Sequence, residues 1–249
     1  MDETLEDLAR PRGDYGVDAP SVPIILGGVG VALVTLGVVS AVLGLGAWTI
    51  VPIVSGVWFL LSCAAYLYTT RSGKFQVWAG VLRRLGLRGD ERVLDMGCGR
   101  GAVLLKAAQL VPNGRAVGVD LWKSGDQSGN SVDATRRNAE LEGVADRVEL
   151  HTGDMTAMPF QDASFDLVLS SLAIHNVPRA NRAKAIDEAV RVLKPGGRLA
   201  IADIVATTGY AAQLRERGMH DVRRRRLDWR FWYGGPWTAT SLVTARKPG

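Results

Sequence analysis

Residues 93–101, Val93-Leu-Asp-Met-Gly-Cys-Gly-Arg-Gly101, carry an apolar strand into a loop with glycine at every second position. Gly97, Gly99 and Gly101 let the chain turn sharply and leave no Cβ between the backbone and a ligand. A second apolar run ends on Asp120, where an acid at a strand tip accepts hydrogen bonds from ribose hydroxyls. Loop and acid together specify a nucleotide-type ligand. Farther on, the segment Ser170-Ser-Leu-Ala-Ile-His-Asn176 presents His175, a group that titrates near neutrality and suits proton transfer. Three histidines and two cysteines without paired spacing support neither a structural zinc site nor a disulfide framework.

Strand and helix patterns alternate from Glu91 onward, which predicts an α/β domain around a mostly parallel sheet. The expected strands are Arg92–Met96, Ala116–Asp120, Val148–Thr152, Phe165–Ser170 and Arg198–Asp203, with helices over about 102–110, 132–142 and 180–193. Asn113-Gly114 and Pro195-Gly-Gly197 supply turns before the second and fifth strands. Two further strand-like runs, Arg223–Tyr233 and Thr238–Lys247, flank Gly234-Gly-Pro236 and predict a closing antiparallel hairpin. Each candidate ligand residue thus falls at the carboxyl end of a strand, where open α/β sheets bind their ligands.

The series Val93 to Gly101, Gly118-Val-Asp120, Gly153-Asp-Met155, Phe165-Asp-Leu-Val168 and Leu193-Lys-Pro-Gly-Gly197 resembles the class I S-adenosylmethionine-dependent methyltransferases in order and spacing. The resemblance covers about residues 75–249 and implies a Rossmann-like sheet with S-adenosyl-L-methionine as cofactor. It implies that Asp95 and the loop Gly97-Cys98-Gly99-Arg-Gly101 hold the methionyl part of the cofactor. Asp120 would bind the ribose, and Leu121 or Trp122 the adenine face. Asp154 would accept from the adenine amino group and the Met155 backbone would meet the ring, although Gly-Asp is also ordinary turn chemistry. Ser170 would lie near the methyl group in transfer. Cys98 is a small loop residue, and Asp203 reads as a helix cap or a solvent-facing strand end.

Methyl transfer from a sulfonium is an in-line displacement that needs mainly proximity and orientation. A base is required only where the acceptor must lose a proton, and His175 stands where this family presents acceptor-side residues. Its alternative role is to hydrogen-bond and shape its loop. The Asn/Asp-Pro-Pro-aromatic motif for exocyclic amines of DNA bases and a Pro-Cys nucleophile are both missing. No nucleic-acid partner is therefore expected, despite Arg223-Arg-Arg-Arg226. The polar stretch 123–131 reads as a lid over the site or as a connector.

The flank before this domain is of another kind. From Ala19 to Thr70 there is no charged side chain over 52 residues. A membrane span takes ~20 apolar residues, so this run predicts two spans, about Pro23–Leu43 and Ala47–Tyr68, turning at Gly44-Leu-Gly46. Trp48, Tyr66 and Tyr68 sit where interfacial aromatics belong. Residues 1–69 hold two basic and six acidic side chains, whereas residues 70–249 hold 28 basic and 19 acidic. Arg71, Lys74, Arg83, Arg84 and Arg88 follow the hairpin, so the positive-inside rule puts both ends and the catalytic domain in the cytoplasm of a membrane-anchored protein. The segment Phe75–Leu85 has helical amphipathic spacing, suited to the membrane surface, to packing on the domain, or to both.

The expected organisation is an acidic tail over 1–20, a transmembrane hairpin over 21–70, a linker helix over 71–90 and a methyltransferase domain over 91–249. The expected acceptor is a small or lipophilic molecule drawn from the lipid bilayer. A soluble metabolite or protein acceptor, or a cofactor-binding module without turnover, stays open.

Overall fold

In a computed structural model that describes residues 8–249, the strands order themselves as β3-β2-β1-β4-β5-β7-β6. These are β1 (Arg92–Met96), β2 (Arg115–Asp120), β3 (Val148–Thr152), β4 (Phe165–Ser171), β5 (Leu193–Asp203), β6 (His220–Arg226) and β7 (Ser241–Arg246). The first five pair in parallel, and β7 runs antiparallel to both β5 and β6. The order departs from β1 in both directions, which leaves a crevice at the carboxyl ends of β1 and β4.

The inner strands bury both faces, as parallel sheets do, while the edge strands β3 and β6 are half-buried or exposed along their length. Leu94, Val168, Leu199, Ile201 and Val243 face helices α6 (Arg182–Val192) and α7 (Thr207–Glu216). Their neighbours Val93, Leu167, Leu169, Ala200 and Leu242 join the opposite layer with Trp78, Leu82 and Ala107. That layer is formed by α3 (Lys74–Leu85) and α4 (Leu104–Leu110), while α5 (Val132–Leu141) lies beyond β3. The period of two in the strand sequences is what separates the layers.

Most boundaries fall within two residues of the sequence expectation, and two stretches differ by more. β5 begins at Leu193, so Lys194-Pro-Gly-Gly197 lies within the strand rather than ahead of it. The cause is pairing: the Gly196 amide donates to Lys247 O, and the Lys247 amide donates to Gly197 O. The closing hairpin is also shorter in strand. Residues 227–240 leave the ladder because Asp228 caps a tight turn at Arg230, and Phe231 and Tyr233 drop into the core.

Ahead of the sheet, α1 (Ser21–Val42) and α2 (Ile50–Tyr68) form an antiparallel pair turned by Gly44 and the short 3-10 segment Gly46–Thr49. A Cβ on Gly56 would fall 2.7 Å from Gly30 O, so the backbones meet at that crossing. The outward faces carry Ile24, Ile25, Val51, Val54 and Leu61, all exposed. Both helices are long and apolar enough to cross a membrane. α2 continues through a π-turn (Thr69–Gly73) directly into α3. The apolar face of α3, with Phe75, Trp78, Val81 and Leu82, is buried against the domain, while Arg83 and Arg84 face outward.

The described part of the expected acidic tail, residues 8–20, is a strap rather than a solvated arm. Its Tyr15 and Leu8 are buried, and Asp18 bridges to Gln127 in the segment between β2 and α5.

Candidate functional site

β1 delivers the chain into the crevice at Met96, and Gly97 turns it with φ +73°. The Gly97 amide donates to Val119 O at 2.8 Å, and a Cβ at Gly97 would collide with the Ala173 side chain. Across the loop, the Gly99 amide donates to Asp120 Oδ2 at 2.9 Å. The second Asp120 oxygen accepts from the Trp122 amide at 2.6 Å and from Asn130 Nδ2 at 3.3 Å. The acid at the tip of β2 therefore locks the glycine loop as well as facing the crevice.

Asp95 lies beneath this loop, 2% exposed, and its Oδ1 has no partner among the described residues. Burial, with the charge of Asp120 adding to it, pushes the Asp95 carboxyl up to about 7, against a lowering hydrogen bond from the Leu104 backbone. An unpaired buried acceptor of this kind calls for a cationic or N–H-bearing ligand group. Cys98 is buried beside it. Burial, then the charges of Asp95 and Asp120, drive the thiol well above its ordinary range, so it holds its proton and is no nucleophile.

These residues line one side of a cavity of about 660 Å³. Asp95, Gly97, Cys98, Gly99, Asp120, Leu121, Asp154 and Met155 all reach it. Gly101 sits behind the loop, starting α4, and is not in the wall. Of Leu121 and Trp122, Leu121 lines the cavity, whereas Trp122 donates its indole N–H to Thr152 Oγ1 at 2.8 Å. The Asp154 carboxylate accepts from the Thr156 amide and hydroxyl, both at 2.8 Å, which is turn chemistry at the cavity rim. Ser170 is displaced from its expected place: alternation along β4 points its hydroxyl to Met96 O at 2.8 Å, and Ser171 lines the cavity instead.

On the acceptor side stands His175. Its Nδ1 is 2.8 Å from Asp203 Oδ1, and its backbone amide donates to Asp203 Oδ2 at 3.1 Å. Asp203 is buried and does not cap α7, contrary to the helix cap or solvent-facing strand end expected from sequence, and also accepts from the Ile204 amide and the Tyr210 hydroxyl. A carboxylate only accepts, so the His175 Nδ1 donates, and the tautomer this fixes has its lone pair on Nε2. Arg182 clamps the same loop from behind, donating to His175 O at 2.6 Å and to Val177 O at 3.0 Å.

The roof over the crevice comes from the strap and the root of the helical pair, and it holds residues that the sequence did not single out. Asp18 accepts from Lys74 Nζ at 2.8 Å, Thr70 Oγ1 at 2.8 Å, Tyr233 Oη at 2.7 Å and Gln127 Nε2 at 3.0 Å. Burial pushes the Asp18 carboxyl up, but Lys74 and these donors hold it below the usual range. Gln127 also accepts from the Arg100 amide through its Oε1, tying the roof to the glycine loop. The segment 123–131 is thus a pinned part of the site. Asp18 was visible as the last charge before the uncharged run, and Asp203 as the acid ending the fifth parallel strand. Among the described residues no cluster of His, Cys, Asp and Glu is arranged to hold a metal ion.

Residues 93–197 match the family described as Methyltransferase domain. The ubiquinone/menaquinone biosynthesis C-methyltransferase UbiE of Dinoroseobacter shibae is 37% identical over 130 residues, 52% of this chain and 49% of that protein. The chain spans about half the length of the curated relatives it matches first, 49% and 48%. Among solved structures, the cyclase SpnF superposes with a TM-score of 0.57 at 21% identity, covering 70% of this chain and 81% of that one. Geranyl diphosphate C-methyltransferase from Streptomyces coelicolor, solved with S-adenosyl-L-homocysteine, gives a TM-score of 0.56 at 18% identity over 68% of this chain and 74% of that one. At such identities the superpositions speak for the fold.

Proposed function

We propose that this protein, whose residues 93–197 match a methyltransferase-domain family on a seven-stranded α/β sheet, is an S-adenosylmethionine-dependent methyltransferase that methylates a small, apolar acceptor at the cytoplasmic face of a membrane in which α1 and α2 are embedded. The observation that carries the proposal is one continuous cavity. Its wall includes Asp95 and Asp120 at one side, His175 beside them, and Val22 and Tyr66 from the root of the two apolar helices.

S-adenosyl-L-methionine supplies an electrophilic methyl group when bound. The unpaired Asp95 Oδ1 suits its ammonium group, and the loop from Gly97 to Gly101 admits its methionyl part without side-chain obstruction. Asp120 takes the ribose hydroxyls and Leu121 covers the adenine, with Asp154 and the Met155 backbone at its edge.

His175 serves as the base. Asp203 fixes its tautomer and orientation, leaving Nε2 free to take a proton from an O–H, N–H or acidic C–H acceptor as the acceptor attacks. The apolar preference draws on two supports: the hairpin of ~20-residue apolar helices, and a relative named for quinone biosynthesis. Orientation follows from the basic residues after α2.

The test is a labelled-methyl assay with membranes and the full-length chain. Label is expected in the organic-soluble fraction, and it must vanish in His175→Ala. Label confined to water-soluble metabolites or protein would reject the apolar acceptor.

A further inference from the structure

The loop joining β6 to β7 climbs the helical hairpin. Trp229 stacks on Tyr68 at the foot of α2, with ring centroids 5.4 Å apart and planes at 15°. Trp237 then packs on Trp58, at 5.5 Å and 35°. Trp58 lies ten residues above Tyr68, which is ~15 Å of helix at 1.5 Å per residue. Between them, a Cβ on Gly234 would touch Ser62 O at 3.5 Å and Leu26 at 3.8 Å. Part of the domain thus lies along the apolar, outward-exposed segment of α2, with Trp237 60% exposed.

A non-helical loop survives at membrane depth only if its backbone is satisfied internally. Several of this loop's backbone groups are paired within the protein. Trp232 O accepts from the Gly234 amide, Gly235 O from the Thr238 amide, Tyr233 O from the Thr238 hydroxyl, and Pro236 O from Arg226, while Pro236 has no amide to bury. The underside of the same loop, Tyr233 and Thr238, lines the cavity together with Val22 and Tyr66. Along the carboxyl edge of the sheet this is the β7 side, away from the β1 to β3 side where Asp95, Asp120 and Asp154 lie.

From these positions we infer that residues 233–238, with Val22 and Tyr66, form a membrane-immersed portal through which the apolar part of the acceptor passes sideways from the bilayer to His175. This rests on the reading of α1 and α2 as spans. The polar end of such an acceptor then meets His175 while its tail stays between the loop and the helices. Trp237, seated against Trp58, holds the outer lip open on the lipid side.

The test reconstitutes the full-length chain in phosphatidylcholine vesicles that contain a phosphatidylcholine with a diazirine at the end of one acyl chain. After irradiation, peptide mass spectrometry is expected to find adducts on Ile24, Ile25, Val54 and Leu61, and also on residues 233–238. Adducts on the helices without any on 233–238 overturn the portal and leave the anchor standing. No adduct on either overturns both. A second arm fills the opening with Thr238→Trp. Methyl incorporation into the organic-soluble fraction should fall at least tenfold while the calorimetric Kd for S-adenosyl-L-methionine stays within twofold, which also shows that the variant folds. An unchanged rate of incorporation overturns the proposal.

Discussion

His175 Nδ1 and Asp203 Oδ1 stand 2.8 Å apart, the histidine on the cavity wall and the acid wholly buried behind it. Asp203 receives three further donors, so its orientation is over-determined and the imidazole inherits it. The Tyr210 hydroxyl is pushed well up by burial and then by Asp203, so it stays a donor to that carboxylate.

Replacing His175 by Ala should lower kcat by about 10²–10⁴, the range for loss of a positioned base, without moving the Kd of the cofactor. Asp203→Asn should also lower kcat, because an amide can present its N–H side to Nδ1 and leave the wrong nitrogen protonated. Single-turnover rates beside calorimetric Kd values check both. A parallel rise of cofactor Kd would instead mark the pair as scaffolding of the glycine loop.

Asp120→Ala removes the proposed ribose acceptor and also strands the Gly99 amide. Hydrogen bonds to a charged group are worth about 1.5–3 kcal/mol each, so cofactor affinity should drop by a factor of ten to several hundred. Calorimetric titration measures this directly. Asp154→Ala should cost much less, since that carboxylate is spent on its own turn at Thr156.

The strap gives a stability prediction. Among the described residues Asp18 is the carboxylate that pairs with the buried Lys74 ammonium, and it also receives Thr70, Tyr233 and Gln127. Asp18→Ala leaves a buried cation uncompensated, a loss of about 3–5 kcal/mol by analogy with other buried pairs. The Tm of the detergent-solubilised chain should fall by several degrees, with the larger part recovered by pairing Asp18→Asn with Lys74→Met. The Asp18 carboxyl is depressed in the folded chain, so its contribution is present above the ordinary carboxylate range and is lost as pH falls below it.

Much of this architecture was legible in the sequence because periodicity and strand-end chemistry are local. The strand runs at Val93-Leu94 and Leu167-Val168-Leu169 were readable from their apolar side chains, and Asp95 near the end of β1 with Asp120 at the end of β2 pointed to the ligand side. Three things were not legible, and each depends on contacts remote in the chain. Asp18 gains its meaning only when residues 52 to 215 positions away gather around it. Asp203 looked exposed because nothing near it in sequence covers it, whereas α7 brings Tyr210 over it. Ser170 and Ser171 differ by one place on β4, and only the pairing register decides which of the two hydroxyls faces the cavity.

Asp95 makes cofactor affinity depend on pH near neutrality. Burial and the neighbouring Asp120 raise its carboxyl to about 7, whereas in the unfolded chain it titrates near 3.8. Between those values the folded chain binds the extra proton, so this group's contribution to folding stability falls as pH rises through the interval and is smallest above about 7. Binding runs the other way. An ammonium group on the ligand pairs only with the ionised acid, so the ligand draws on a form that is scarce at pH 6 and dominant at pH 8. The Kd for S-adenosyl-L-methionine should therefore tighten by roughly tenfold across that span, one pKa unit corresponding to a factor of ten in the equilibrium. Asp95→Asn should bind weakly at every pH and flatten the profile. A wild-type Kd that holds constant from pH 6 to 8 would show that the ammonium group is held by something other than Asp95.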